Sequence, residues 1–125
     1  MGATSDHKTQ KGLSAYYAGL AAEEQVARHY IRLGAKVLET RWRGEGGEID
    51  VILRADDMLI FVEVKKSKNL LRAAEMIYPA QLARIMATAE EYVAKQGLCL
   101  DMRVDAALVD QIGRIEVIEN ITVDF

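Results

Sequence analysis

The chain has 125 residues, of which 50% are hydrophobic, and carries a formal net charge of −3 at pH 7. This length fits one domain with its own core, and the acidic balance is not that of a protein that binds nucleic acid tightly through a broad basic surface. The one cysteine, Cys99, excludes a disulfide framework and a cysteine-rich zinc site. Its apolar neighbours predict that it is buried.

The N-terminal segment 1–13 is polar and lacks the apolar stretch of a signal peptide. We expect it to be a disordered leader that precedes a single domain over 14–125. The apolar runs of the chain are far shorter than the roughly 20 residues that a membrane span needs. No membrane contact is therefore expected, and the predicted location is cytoplasmic.

The first helix is predicted over Ser14–Leu33, since apolar residues recur there at helical spacing and Gly34 follows. Glu23 and Glu24 both lie beside the apolar stripe of this helix. The stripe consists of Leu20, Ala27, Tyr30 and Ile31. One of the two carboxylates is expected to point toward the protein body; the alternative is a rim position with the carboxylate in water.

Three strands rich in Val and Ile are predicted next, over Lys36–Arg43, Glu48–Arg54 and Met58–Lys66. A glycine-rich turn at 44–47 separates the first two, and a turn at Asp56-Asp57 separates the second from the third. The segment that follows, 67–78, has no clean periodicity and is predicted to be a loop or a short helix.

Pro79 and Gly97 bracket a second long helix, because proline favours a helix start and glycine a helix end. Two further strands are predicted over Met102–Val109 and Arg114–Ile118. The order α-β-β-β-α-β-β predicts an α/β fold in which a mixed central sheet is flanked by helices.

The hairpin formed by the second and third strands carries most of the chemistry. A turn centred on Asp56-Asp57 places Asp50 opposite Glu63 and Glu48 opposite Lys65. Since side chains alternate along a strand, these four polar residues share one face, while the other face is wholly apolar and is expected to be core.

Directly opposed carboxylates in such a pair have Cβ atoms about 4.5–5.5 Å apart, and their repulsion favours a neutralising cation. Asp50 and Glu63, with water, would suit Mg²⁺. The alternative is that this polar face is the solvated side of an edge hairpin. A one-residue bulge would also defeat the register, because it moves every later side chain to the opposite face.

The run GEIDVI at 47–52, followed after eight residues by FVEVK at 61–65, resembles the PD-(D/E)xK nuclease superfamily. More closely, the chain is similar to the YraN-like family of small bacterial proteins, which are themselves similar to Holliday-junction resolvases. That resemblance implies a restriction-endonuclease-like αβββαβ core. It also extends to Gly19, Glu23, Ala27, Gly34, Trp42, Arg43, Pro79, Val104 and Asp105.

The resemblance implies a role for each residue of the motif. Asp50 and Glu63 would bind the metal together with the carbonyl oxygen of Val64. Lys65 would orient the attacking water and stabilise the charge that develops on the phosphate. Glu23, from the first helix, would bind a metal directly or through water, which favours Glu23 over Glu24 as the inward-facing residue.

A supporting residue follows from the same comparison, and the candidates for substrate contact follow from local clusters of basic residues. Glu48 would support Lys65. The family usually has an arginine shortly after the lysine of Glu-x-Lys, where this chain has Lys66, and commonly a lysine at the position of Gln81. Gln81 either hydrogen-bonds near the site or is an exposed residue at the helix start. The candidates for contact with nucleic acid are Arg43, Lys66 and Lys68, and solvated strand or loop ends are the alternative.

Together these features predict a Mg²⁺-dependent endonuclease, with Mn²⁺ as a substitute metal, that hydrolyses phosphodiester bonds in DNA. DNA is favoured over RNA, and branched or structured DNA is the expected substrate. The alternative is a catalytically silent nucleic-acid-binding or protein-interaction module that retains the nuclease fold. A homodimer is suggested only by analogy with resolvases.

Overall fold

The elements follow the predicted order. The computed structural model describes the backbone of residues 3–121 and the side chains of 12–121. Its helices and strands are α1 Ala3–Arg32, β1 Lys36–Arg43, β2 Glu48–Ala55, β3 Met58–Lys66, α2 Leu70–Ala74, α3 Pro79–Gln96, β4 Asp101–Val109 and β5 Ile115–Ile118.

The strands form one five-stranded sheet in the order β1-β2-β3-β4-β5. β3 and β4 are parallel and are joined through α2 and α3, whereas the other neighbours are antiparallel. The predicted α/β fold with a mixed sheet and flanking helices is confirmed. Because β2 and β3 are interior strands, the alternative of a solvated edge hairpin is wrong.

Helix α1 begins at Ala3 rather than at Ser14, so helical backbone extends through most of the segment predicted to be a disordered leader. The physical reason is that extending an existing helix adds one hydrogen bond for each residue fixed, and this segment contains no proline. Residues 1 and 2 lie outside the described part. Within α1, Ile31 is 51% exposed instead of belonging to the apolar stripe; Val26 is buried in its place.

Both faces of the sheet are covered by helices. On one face Val26 of α1 packs with Val51 and Val62; on the other Ile85 of α3 packs with Phe61. The carboxylates of the β2–β3 hairpin therefore lie at its end, where the two helical layers part, instead of along an open face.

The predicted turn and register are confirmed over most of the hairpin. Ala55 pairs with Met58 across the turn, and Ile52 pairs with Phe61. Ile49 departs from the expected alternation, since it packs in the α3-side cluster with Ile52 and not with the α1-side residues. The alternation breaks at the residue between Ile49 and Val51, which is where the candidate site begins.

Cys99 is exposed, so the prediction that it is buried is wrong. Leu98 and Leu100 pack against the core on either side of it. In the extended connection from α3 to β4, the side chain between two inward residues points outward. None of the helices that the structure describes is long and apolar enough to cross a membrane.

Candidate active site

The site begins with an interruption of the sheet at Arg41 and Asp50. Thr40 pairs with Val51 and Trp42 with Ile49, so the β1–β2 register runs past Arg41 and Asp50 and skips both. Arg41 has a φ of 51°, a left-handed conformation that costs a non-glycine residue about 1–2 kcal/mol. The interruption frees both side chains from the usual alternation across the sheet.

The carboxylate of Asp50 is fixed by the backbone of β3. Its Oδ2 accepts a hydrogen bond from the amide of Val64 at 2.8 Å, beyond the point where the β2–β3 pairing ends at Val51 and Val62. The amide and carbonyl of one strand residue face the same neighbouring strand. The carbonyl of Val64 therefore faces the same opening as Asp50.

Glu63 is held by two donors from different elements. Its Oε1 lies 2.9 Å from Nζ of Lys65 and accepts a hydrogen bond from Nε2 of Gln81 at 3.0 Å. The side chains of Glu63 and Lys65 are only 11% and 14% exposed. Of the two alternatives for Gln81, the structure therefore gives the hydrogen bond near the site.

Glu23 reaches the same region from α1. Its Oε2 lies 2.7 Å from Nε of Arg41, and the Arg41 guanidinium stacks over the ring of Tyr16 at 5.1 Å. The Glu23 side chain is 13% exposed, while Glu24 is exposed. The choice of Glu23 as the inward glutamate agrees with this placement.

These side chains meet in one cleft of about 370 Å³, bounded by α1, the glycine-rich β1–β2 loop and α3. Lys65 adjoins it through its ion pair with Glu63. The residues that line the cleft are Glu23, Arg41, Gly47, Glu48, Asp50, Glu63, Gln81, Arg84, Ile85 and Thr88.

The carboxyl of Asp50 has an altered acidity. Burial raises its pKa to about 7, and the neighbouring charge of Glu63 adds to the increase, against the lowering effect of the Val64 amide. Asp50 and Glu63 are therefore close enough to repel one another in a poorly solvated place. A cation between them would relieve the repulsion.

The oxygen donors of the cleft fit a hard divalent cation. Within the described residues no hydrogen bond occupies Oδ1 of Asp50 or Oε2 of Glu63, and the Val64 carbonyl faces the same opening. Such oxygens, completed by water, are the ligands that Mg²⁺ prefers. Over the part of the chain that the structure describes, no group of three or more His, Cys, Asp and Glu side chains is arranged to hold a metal ion. Glu23, held by Arg41, is thus better placed to act through water.

The other candidates lie at or beyond the rim of the cleft. Glu48 is 3.2 Å from Nη2 of Arg43, so the expected contact of Glu48 with Lys65 is replaced by one with Arg43. The reason is the end of the β2–β3 pairing at Val51, because Glu48 then pairs in register only with β1. Lys66 and Lys68 are exposed beyond the cleft.

A family model described as "Uncharacterised protein family UPF0102" matches residues 22–118. The chain belongs to UPF0102. This match confirms the resemblance to the small bacterial YraN-like proteins, and it spans every element that lines the cleft, including the part of α1 that carries Glu23.

Similar proteins of UPF0102 match most of the chain. A UPF0102 protein of Roseobacter denitrificans is 50% identical over 115 residues, 90% of this chain and 89% of its own length. One from Ruegeria pomeroyi is 46% identical over 112 residues, 88% of this chain and 91% of its own. One from Dinoroseobacter shibae is 47% identical over 114 residues, 90% and 85% of the two chains.

Sequence reasoning missed three polar residues of this UPF0102 site, namely Arg41, Arg84 and Thr88. Arg84 and Thr88 line the cleft from α3, one and two turns beyond Gln81. Helical spacing already placed them on one face with Gln81, and that signal could have identified them. The left-handed backbone of Arg41 had no comparable signal, because only the interruption of the ladder reveals it.

Proposed function

We propose that this UPF0102 protein is a Mg²⁺-dependent endonuclease that hydrolyses phosphodiester bonds in DNA, with branched or otherwise structured DNA as its substrate. The proposal rests on one observation above all. Asp50 and Glu63 are two poorly solvated carboxylates that repel one another, with a lysine 2.9 Å from one of them, at the end of an open cleft. A cytoplasmic location and a homodimer belong to the same proposal.

A purely structural role would not require two poorly solvated carboxylates that repel each other. A buried charge without adequate compensation lowers the stability of the fold, and strongly altered pKa values of this kind cluster at functional sites. The raised pKa of Asp50 is caused by burial and by Glu63. Both causes would be offset by a bound divalent cation, which is the state in which the site would work.

When bound, Mg²⁺ supplies a Lewis acid for the phosphoryl oxygens and lowers the pKa of a water molecule. Asp50, Glu63 and the Val64 carbonyl would hold it. The Val64 amide and Gln81 fix the orientation of the two carboxylates through their hydrogen bonds. Partners of this kind set the geometry of metal-binding carboxylates.

Lys65 would supply the positive charge that stabilises the phosphate in the transition state. Its ammonium lies against Glu63 at 2.9 Å, next to the place where a phosphate would become more negative in the transition state. Removing one such electrostatic group typically costs about 2.7–4 kcal/mol of barrier. Lys65 also donates hydrogen bonds that orient the attacking water, while Glu23 contacts water from the opposite wall.

A second candidate function is a catalytically silent module that binds nucleic acid or protein. The charge of the chain favours it, since the net charge is −3 and the cleft is lined by more carboxylates than guanidinium groups. Such a module has no need of a lysine placed against a buried carboxylate pair. The nuclease is therefore the preferred function.

Cleavage assays separate the two functions. Labelled linear duplex, flap and four-way DNA, and a matched RNA duplex, would be incubated with the protein in Mg²⁺ or Mn²⁺. Asp50→Ala and Lys65→Ala are the test variants. Asp57→Ala and Lys36→Ala are the matched controls, because Asp57 is 94% exposed at the distant hairpin turn and Lys36 is exposed at the start of β1.

We expect cleavage by the wild type and both controls, and its loss in both test variants. Cleavage that survives Asp50→Ala or Lys65→Ala would overturn the mechanism. Binding of DNA without cleavage by the wild type, in either metal, would favour the silent module. Cleavage of RNA alone would overturn the choice of DNA.

A further inference from the structure

Arg84 is a charged residue of the cleft to which neither the metal site nor the proposed chemistry assigns a role. It lies on α3, is exposed, and lines the cleft beside Gln81 and Thr88. The other cations of the site are engaged with carboxylates, Arg41 with Glu23 and Lys65 with Glu63. Among the residues that the structure describes, the guanidinium of Arg84 forms neither an ion pair nor a hydrogen bond.

Its position is fixed even though its side chain is free. The neighbouring Ile85 is buried in the core, and the backbone carbonyl of Arg84 accepts a hydrogen bond from Oγ1 of Thr88 at 2.8 Å. Gln81, which donates to Glu63, lies three residues earlier, or about 4.5 Å along the helix axis. Arg84 is therefore one helical turn from Gln81, the residue that contacts Glu63, on the same wall of the cleft.

The glycine-rich loop forms the facing rim. A Cβ placed on Gly46 or Gly47 would meet only Oγ1 of Thr88, at 3.5 and 3.4 Å, so this backbone lies against the turn of α3 that follows Arg84. The loop and α3 therefore meet at Thr88, and Arg84 lies on the turn of α3 between this contact and Gln81.

We propose that Arg84 forms a phosphate-binding subsite that holds a non-scissile phosphate of the nucleic-acid strand. A free guanidinium on a rigid helix suits a bidentate contact with a phosphate. The other charged side chains that line the cleft are four carboxylates and Arg41, which is paired with Glu23. This inference rests on the proposed function and names the residue that positions its substrate.

Binding measured without cleavage tests the subsite. The Asp50→Asn protein, which should not cleave, serves as the parent. Its affinity for a labelled four-way junction is measured in Mg²⁺ by fluorescence anisotropy over a range of NaCl concentrations. The variants carry Arg84→Ala or Arg84→Lys in addition. Arg28→Ala is the control, because Arg28 is an exposed arginine of α1 that does not line the cleft.

We expect Arg84→Ala to bind roughly tenfold more weakly, as for the loss of one contact with a charged group. The slope of log affinity against log salt should fall by about one. Arg84→Lys should keep the slope but lose part of the affinity, and Arg28→Ala should match the parent. In the cleaving protein, Arg84→Ala should raise KM with little change in kcat, because the contact is present in both ground and transition states.

The possible failures are distinct. A parent that binds no DNA would overturn the proposed function and the subsite together. If the parent binds and Arg84→Ala has the same affinity and salt slope, only the subsite is wrong. Equal losses in Arg84→Ala and Arg28→Ala would also overturn the subsite, because they would show a general effect of charge.

Discussion

The carboxylate of Asp50 accepts a hydrogen bond from the backbone amide of Val64, at 2.8 Å between Oδ2 and N, where the β2–β3 ladder has already ended. A side chain thus replaces the next rung of the sheet. The contact holds the carboxylate beside Glu63 although the two repel each other. The site is therefore built at the expense of local stability.

Asp50→Asn should stabilise the metal-free protein at pH 8. The amide oxygen of asparagine can still accept from Val64, while the charge that burial and Glu63 disfavour is gone. We expect an increase of about 1–3 kcal/mol in the free energy of unfolding, measured by urea denaturation. Asp57→Asn, at the exposed turn, should change it by less than about 0.5 kcal/mol. A variant that is no more stable than the wild type would contradict the inference that the charge of Asp50 destabilises the fold.

The pH dependence of stability should reveal the same carboxyl. The pKa of Asp50 is raised from 3.8 to about 7 in the folded chain, so the folded state keeps this proton more strongly than the unfolded state. Without metal, the stability of the wild type relative to Asp50→Asn should fall as pH rises from about 4 to about 7 and then level off. Denaturation curves across this range test the sign. A difference that is constant, or that grows with pH, would contradict the raised pKa.

The sequence predicted the elements and the register, because both depend on local patterns. Alternation and the Asp56-Asp57 turn gave the pairing of Ile52 with Phe61. What it could not predict is the break at Arg41 and Asp50, since a left-handed arginine within a strand opposes the local preference and persists only through contacts with α1.

Long-range contacts also decided the parts of the site that were missed or misassigned. Glu48 was expected beside Lys65 because the register was extended beyond its real end, and it instead contacts Arg43. Gln81 donates to Glu63 because α3 packs on the sheet. That packing is a long-range contact, which the local sequence pattern does not show. Patterns along one element fix which way a side chain faces, while its partner on another element depends on tertiary packing.

Lys65→Met should separate metal binding from catalysis. The substitution removes the ammonium beside Glu63 but leaves Asp50, Glu63 and Gln81, so Mn²⁺ affinity measured by calorimetry should be kept or improved. Cleavage should fall by about 10²–10³-fold in kcat. Lys36→Met, an exposed lysine of β1, is the control. If Mn²⁺ no longer binds Lys65→Met, Lys65 organises the metal site and is not confined to the chemical step.

In the glycine-rich loop, replacing Gly44 should lower the stability of the protein more than replacing Gly46. A Cβ on Gly44 would lie 2.5 Å from a carboxylate oxygen of Glu91, and that carboxylate accepts a hydrogen bond from the Glu45 amide at 2.9 Å. Gly44→Ala must displace the carboxylate of Glu91 and break this hydrogen bond, so it should lower the free energy of unfolding measured by urea denaturation. Gly46→Ala should cost less, because its Cβ would meet only Thr88 at 3.5 Å.

A double variant isolates the cause of that loss. In a background of Glu91→Ala the clash and the displaced hydrogen bond are both absent, so Gly44→Ala should have little further effect on the free energy of unfolding. If the two substitutions are additive instead, the cost at Gly44 comes from its own backbone and not from Glu91.

Asp105 should prove structural, although it belongs to the pattern that identified the family. It is fully buried and accepts hydrogen bonds from the Tyr30 hydroxyl at 2.7 Å, Nε of Arg103 at 3.0 Å and the Asn120 amide at 2.9 Å. It does not line the cleft. Burial and the charge of Asp105 raise the pKa of Tyr30, so the phenol keeps its proton and remains a hydrogen-bond donor even in alkaline solution.

Asp105→Ala should therefore cost about 3–5 kcal/mol, since it leaves two donors without their acceptor and removes the nearer carboxylate of the half-buried Arg103. Tyr30→Phe removes one donor and should cost only about 1–2 kcal/mol, which keeps the test informative if the first variant does not fold. Urea denaturation measures both, and Mn²⁺ affinity of the folded Tyr30→Phe protein should equal that of the wild type. A weakened Mn²⁺ affinity with unchanged stability would instead link Asp105 and Tyr30 to the metal site.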